Sequence, residues 1–104
     1  MKYVIGWIKL QPGKRDEFLS LLGPFTEKTQ QEEGNDFFEY YPSSKDPDTV
    51  FIAEKFRSAE DHDLHHQTPQ HIDIWGHIQR LGAEARFENI FADRVEVDEL
   101  KFPL

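Results

Sequence analysis

Four of the chain's five histidines fall in one short run, Asp61-His62-Asp63-Leu64-His65-His66-Gln67-Thr68-Pro69-Gln70-His71. Imidazole is the side chain whose ordinary pKa lies nearest neutrality, so it can take a proton, give one, or ligate a metal at physiological pH. Two chemistries follow. One is proton transfer to or from a bound molecule. The other is chelation: His62, His65 and His66 stand at i, i+3 and i+4, which a helix places on adjacent parts of one face, where neighbouring imidazoles can hold zinc or copper. Asp61 and Asp63 beside them suit a solvated helix face, the commoner outcome for such a run. Aromatic residues are plentiful, with nine Phe, three Tyr and two Trp. They supply the large contact areas from which both cores and flat ligand slots are built.

Composition narrows the classes. A formal net charge of −8, with twelve Lys and Arg scattered among twenty Asp and Glu, is opposed to a nucleic-acid partner, which needs clustered basic residues. The absence of cysteine excludes disulfides, thiolate metal sites and a Cys nucleophile. The opening MKYVIGWIKL is broken at Lys9 and lacks a small-residue cleavage site, so it reads as a strand and not as a signal peptide. No run approaches the roughly 20 apolar residues needed to span a bilayer. A soluble, cytoplasmic protein of one domain, residues 1–104, is expected, since a typical domain has about 100–150 residues.

The elements that position the histidines follow from periodicity. Tyr3 to Leu10 is β-rich and stops at the turn Gln11-Pro12-Gly13. From Lys14, Phe18, Leu21, Leu22 and Phe25 recur at helical spacing. Gly23-Pro24 predicts a kink or division there, and the helix is expected to resume to about Glu33 and end on Gly34 as a left-handed C′ residue. Phe37–Tyr41 and Val50–Phe56 predict a hairpin. Ser58 is a candidate N-cap, with Glu60 and Asp61 suited to a helix N-terminus, for a short helix to about Gln67. Pro69 opens another helix, with Ile72, Trp75, Ile78, Gln79 and Leu81 on one face, ending near Gly82. Arg86 to Val97 is predicted as the last strand, with an extended tail over 98–104. The order β-α-β-β-α-β with an extra short helix is the ferredoxin-like arrangement, an α+β fold with helices on one face of an antiparallel sheet.

The strands carry apolar residues on both faces. Tyr3, Ile5 and Trp7 oppose Val4, Ile8 and Leu10; Phe51 and Ala53 oppose Val50, Ile52 and Phe56; Phe37 and Tyr41 oppose Phe38 and Tyr40. A sheet with one wet face should alternate apolar and polar residues, and the helices suffice for one face only. A second copy of the chain, as a two-fold homodimer, is the expected cover for the other.

Several segments together resemble the antibiotic biosynthesis monooxygenase family. They are Pro12-Gly13-Lys14 before an amphipathic helix, then EEGNDFFEYY, then FIAEKF with Ser58 two residues on, then LHHQTP. The family's pattern has an E-P-G turn, matched in part by Glu33-Gly34. It has an E-x-aromatic strand end, matched by Glu54 and Phe56. A histidine nine residues after the aromatic corresponds to His65, and Thr68-Pro69 follows. The final histidine of the T-P-H element is displaced, with Gln70 in its place and His71 one residue later.

The resemblance implies a dimeric α/β barrel of two ferredoxin-like protomers, each with a pocket between sheet and helices. It implies a monooxygenase that needs no metal, flavin or other cofactor and acts with O2 on a small aromatic, phenolic or quinol-like substrate. His65 would be the general base that makes the substrate anionic. Trp7, Tyr41, Phe56, Trp75 and His71 would bind it. The family's haem-degrading members have Asn on the first strand where Trp7 stands and Trp where His65 stands, which disfavours haem degradation here. A fold does not settle a reaction. A non-catalytic ligand-binding or isomerase member of the same barrel family, or a metal-binding histidine cluster, is the alternative. Glu54 is expected to be structural, tying the strand end to the next loop.

Overall fold

In a computed structural model describing residues 1–104, the elements run β1 (Lys2–Leu10), α1 (Arg15–Gln30), β2 (Asn35–Pro42), β3 (Thr49–Phe56), α2 (Ala59–His66), α3 (Pro69–Leu81), β4 (Gly82–Ile90) and β5 (Val95–Lys101). The five strands pair antiparallel throughout, in the order β2-β3-β1-β4-β5. The helices cover one side of the sheet, giving the expected ferredoxin-like α+β fold. Strand alternation fixes which side. Val4, Ile8 and Leu10 of β1 are buried with Val50, Ile52 and Phe56 of β3, Phe38 of β2 and Ala85 of β4. Against them lie Phe18, Leu22 and Phe25 from α1 and Ile74, Ile78 and Leu81 from α3.

The expected boundaries shift where local cues gave way to packing. Helix α1 runs undivided through Pro24. Pro24 and Ser20, whose carbonyl loses its usual donor, are both exposed, so water can satisfy that carbonyl. The helix ends at Gln30, short of Gly34, and Gly34 has no positive φ. Its small size answers a different need. A Cβ there would stand 2.4 Å from Cγ of Asp61, and the Gly34 carbonyl accepts a hydrogen bond from Arg57 N–H at 2.8 Å. The left-handed glycine is Gly13 (φ 79°), in the turn after β1.

On α3 the buried residues are Ile74, Ile78 and Leu81, while Ile72 is 63% exposed. Ile78 and Leu81 thus keep their predicted place, and Ile74 takes the buried position expected of Ile72. The single last strand predicted over 86–97 is a hairpin. β4 starts at Gly82, the chain turns at Phe91–Arg94 with Phe91 N–H donating to the Arg94 carbonyl at 2.9 Å, and β5 returns along the edge. The turn lacks Gly and Pro, which is why it escaped pattern reading. Arg94 instead packs its guanidinium over the Phe91 ring, 4.1 Å from the centroid.

The side of the sheet away from the helices carries apolar residues as well, on β1, β2 and β3, with charged ones among them. Register puts Tyr41, Phe51, Trp7, Arg86 and Glu99 in one cross-strand row and Phe37, Lys55, Tyr3, Ile90 and Val95 in another. Between them Ala53 and Ile5 stand beside Glu88 and Val97. Trp7 and Phe51 meet edge to face at 5.8 Å. No helix is long and apolar enough to cross a membrane.

Candidate active site

A cavity of about 520 Å³ opens between the helices and the inner side of the sheet. Its floor is Val4, Ile8, Phe38 and Ile52. Leu22 and Phe25 of α1 close one side, Trp75 and Ile78 of α3 another, and Phe87, Asn89, Asp98 and Leu100 of the β4–β5 hairpin form the edge. Into this apolar chamber project four histidines, His62, His65 and His66 from α2 and His71 from α3, together with Glu54 of β3. Two short helices meeting at an angle achieve this. Ser58 Oγ accepts from Asp61 N–H at 3.1 Å to start α2, and Thr68 Oγ1 accepts from His71 N–H at 3.3 Å to start α3. Pro69 sits in the first turn of α3, where its missing N–H costs nothing. The break between the helices folds His71 back over His65, with ring centroids 5.0 Å apart.

His65 is 2% exposed. Its Nδ1 lies 2.8 and 3.1 Å from the two carboxylate oxygens of Glu32, and Glu32 is itself held by Gln70 Nε2–H, which donates at 3.1 Å. Burial, followed by the neighbouring His66, brings the His65 pKa down to about 4, so the ring is neutral at pH 7. Burial also raises the Glu32 pKa from its ordinary value, opposed by the Gln70 hydrogen bond. With Glu32 ionised, the single ring proton of His65 is on Nδ1, because a carboxylate only accepts. Nε2 is left as the basic nitrogen, and the group 3.9 Å from it is the Glu54 carboxyl. Glu54 is 7% exposed. Burial pushes its pKa up to about 8, with Lys2 opposing and Glu32 adding to the rise, so it is largely a neutral acid at pH 7. Burial and the neighbouring His66 likewise lower His71, to about 3.

His62 is 3% exposed and receives a hydrogen bond from Lys2 Nζ at its Nδ1, at 2.7 Å. Burial first, then His66 and Lys2, lower its pKa to about 2. His62 and His65 are thus buried and not part of the solvated helix face that Asp61 and Asp63 suggested, while His66 is exposed. The rings of His62, His65 and His66 lie 4.2–6.0 Å apart. Two of the Nδ1 atoms are committed to Lys2 and Glu32, however, and no group of three His, Asp or Glu side chains is disposed as a metal site.

Of the residues singled out from the sequence, His65, His71 and Trp75 share the cavity. Phe56 is fully buried behind it, its ring 4.9 Å from His62 and 5.1 Å from His65. Trp7 and Tyr41 lie on the other side of the sheet, because their strand parity is opposite to that of Ile8 and Phe38. Trp7 lines a separate, polar depression there with Lys9, Asp46, Arg86 and Glu99, and Tyr41 is 56% exposed. Neither reaches the chamber of His65. Glu54 does not tie the strand to a loop; it faces the chamber. Its parity with Val50 and Ile52 was the available signal. Glu32, Lys2 and Asn89 were missed for want of a local cue, since Glu32 meets His65 and Lys2 meets His62 across long stretches of chain.

The sequence model for antibiotic biosynthesis monooxygenases matches residues 1–74. A curated relative, an uncharacterized protein of Synechocystis sp., is 32% identical over 66 residues, which is 64% of this chain; the chain spans less than half of that protein, 45% of its length. Among solved structures, a Deinococcus radiodurans protein assigned to the antibiotic biosynthesis monooxygenases superposes with a TM-score of 0.81 at 16% identity, covering 88% of this chain and 92% of that one. A Nitrosomonas europaea protein assigned likewise gives 0.76 at 16% identity over the whole of both chains. A Bacteroides thetaiotaomicron protein of unknown function gives 0.74 at 19% identity, over 97% and 96% of the two. At such identities the structural likeness speaks for the fold, and the match over residues 1–74 speaks for descent. The chain belongs to the antibiotic biosynthesis monooxygenase family.

Proposed function

We propose that this protein is a cofactor-independent monooxygenase that oxidises a small phenolic or quinol-like aromatic molecule with O2, using His65 as the base. The observation that carries the reading is the Glu32–His65 pair inside an apolar, aromatic-walled cavity. Glu32 fixes the tautomer that leaves Nε2 unprotonated, and the surrounding apolar wall suits a flat ring with one acidic hydroxyl. Removal of that proton makes the ring electron-rich enough to reduce O2. For an activated ring methylene the balance is complete without an external reductant. The two C–H bonds are replaced by C=O, and the two hydrogens leave with the second oxygen atom as water. On proton uptake, the His65 cation is stabilised by the carboxylate at 2.8 Å.

His71 and Trp75 are the proposed contacts to the ring, with Phe56 buttressing the imidazoles. A second copy of the chain is the proposed partner, covering the Trp7–Phe51 side of the sheet. Oxygen uptake with a panel of anthrones and quinols tests the reading. Wild type should consume O2, and His65→Ala, with an unchanged circular dichroism spectrum, should lose roughly 10²–10⁴-fold in rate. Full turnover by the folded variant would remove His65 from the chemistry. Saturable binding of the same compounds without O2 uptake would identify a ligand-binding member instead.

A further inference from the structure

Two imidazoles in the cavity are wired to opposite partners. His65 Nδ1 faces a carboxylate, Glu32, at 2.8 Å. His62 Nδ1 faces an ammonium, Lys2, at 2.7 Å. The carboxylate can only accept and the ammonium can only donate. His65 therefore carries its proton on Nδ1, and a neutral His62 must carry its proton on Nε2. Neither Nε2 is hydrogen-bonded within the protein, and both rings line the chamber, nearly parallel (18°) with centroids 6.0 Å apart. One ring thus presents a lone pair and the other an N–H. A hydroxyl oxygen, which both donates and accepts, is the ligand atom able to serve both rings.

We propose that His62 is the oxyanion donor of this site: as His65 Nε2 takes the proton from a bound hydroxyl, His62 Nε2–H donates to the oxygen left negative. The inference rests on the reading of His65 as the base and names the group that receives the charge. The step is balanced within the site. The substrate O–H bond breaks, an N–H bond forms on His65, and the oxygen keeps the electron pair. Lys2 is the positioning residue. It is 6% exposed in β1, with its ammonium also over the Phe91 ring at 4.6 Å. Burial lowers its pKa, while Asp63, Glu54, Glu96 and Asp98 work to keep it charged. The arrangement selects ligands whose reacting oxygen is both a donor and an acceptor, a phenol or enol, over ethers and aprotic ketones.

Two measurements test this. In the wild-type protein, ¹⁵N NMR of the imidazoles should find His65 as the Nδ1–H tautomer and His62 as the Nε2–H tautomer; His62 protonated on Nδ1 would overturn the proposal. In Lys2→Met, His62 should lose its fixed tautomer while His65 keeps its own. The second probe is 4-nitrophenol, whose anion absorbs in the visible. Bound to wild type, it should ionise about one pKa unit lower than when bound to His62→Phe, the effect of one charge-assisted hydrogen bond. Equal ionisation in the two proteins refutes the role of His62 alone. Failure of wild type to bind either 4-nitrophenol or the anthrone and quinol panel refutes the phenol-site reading beneath it. If His62→Phe does not fold, the wild-type tautomers still decide.

Discussion

Glu54→Gln is the substitution whose consequence can be worked most fully from the structure. The carboxyl is buried, and its pKa stands near 8 against an ordinary value of 4.5. A group with a raised folded-state pKa holds its proton more tightly when the chain is folded, so its stabilising contribution is complete below pH 4.5 and is lost as pH rises toward 8. Between pH 6.5 and 8 the unfolded-state histidines, half protonated at pH 6.5, still lose protons. They do so in wild type and variant alike, so the difference between the two proteins isolates Glu54. At about 1.4 kcal/mol per pH unit, the wild type should lose roughly 1–2 kcal/mol relative to Glu54→Gln between pH 6.5 and 8. The amide has no proton to lose, so Glu54→Gln should keep only the histidine contribution, which raises stability with pH over that interval. Urea denaturation followed by tryptophan fluorescence reads this as a wild-type midpoint that falls by roughly 1 M relative to that of the variant. Parallel curves for the two proteins would show that Glu54 is already ionised at pH 6.5 and that its burial does not set its charge.

The same bookkeeping has an acid limb. His62, His65 and His71 have folded-state pKa values of about 2, 4 and 3, so their contribution is complete only about a unit above pH 6.5 and is lost as pH drops toward those values. Three imidazoles set against one carboxyl should leave roughly two protons taken up on unfolding near pH 5.5, measurable by calorimetry in buffers of different ionisation enthalpy. Gly34→Ala should destabilise by about 1–3 kcal/mol, because the new methyl meets Asp61 at the start of α2. Thermal melts would show it, and an unchanged melting temperature would mean that Asp61 swings aside without loss. Light scattering at micromolar concentration should give twice the chain mass, and Trp7→Glu, which places a charge in the middle of the outer apolar row, should halve it. A monomeric wild type would dismiss the paired sheets.

How far the sequence reached depended on whether the decisive contact was local. Strand parity is local, so the two apolar sides of the sheet could be read directly from Tyr3–Leu10 and Val50–Phe56. Caps are local too, and Ser58 and Thr68 open helices as N-caps do. Pro24 misled because its effect depends on what surrounds the bond it removes, and here that bond faces water. The site was half legible. The motif spacing led to His65, but whether a histidine is a base or a surface group depends on its distant neighbours. Glu32 and Lys2 are brought to the imidazoles by the docking of α2 against the sheet, which no spacing rule encodes. Trp7 and Tyr41 were grouped with His65 through their aromatic character, although parity alone puts them on the opposite side from Ile8 and Phe38.

The chamber is assembled from two portions of the chain with different obligations. The ionisable apparatus, Glu32, Glu54, His62, His65 and His71, lies wholly within the stretch shared with the family, residues 1–74. Trp75, Ile78, Phe87, Asn89, Asp98 and Leu100 all come after it. The terminal hairpin hangs on the sheet by a single seam, β4 against β1. Such a hairpin can be reshaped, lengthened or repacked while Glu32, Glu54 and His65 stay where they are, provided that Phe91, Glu96 and Asp98 around the Lys2 ammonium are kept. Exchanging residues 82–104 between relatives, with Phe91, Glu96 and Asp98 retained, is therefore a direct way to redirect what this chamber admits without rebuilding how it handles protons.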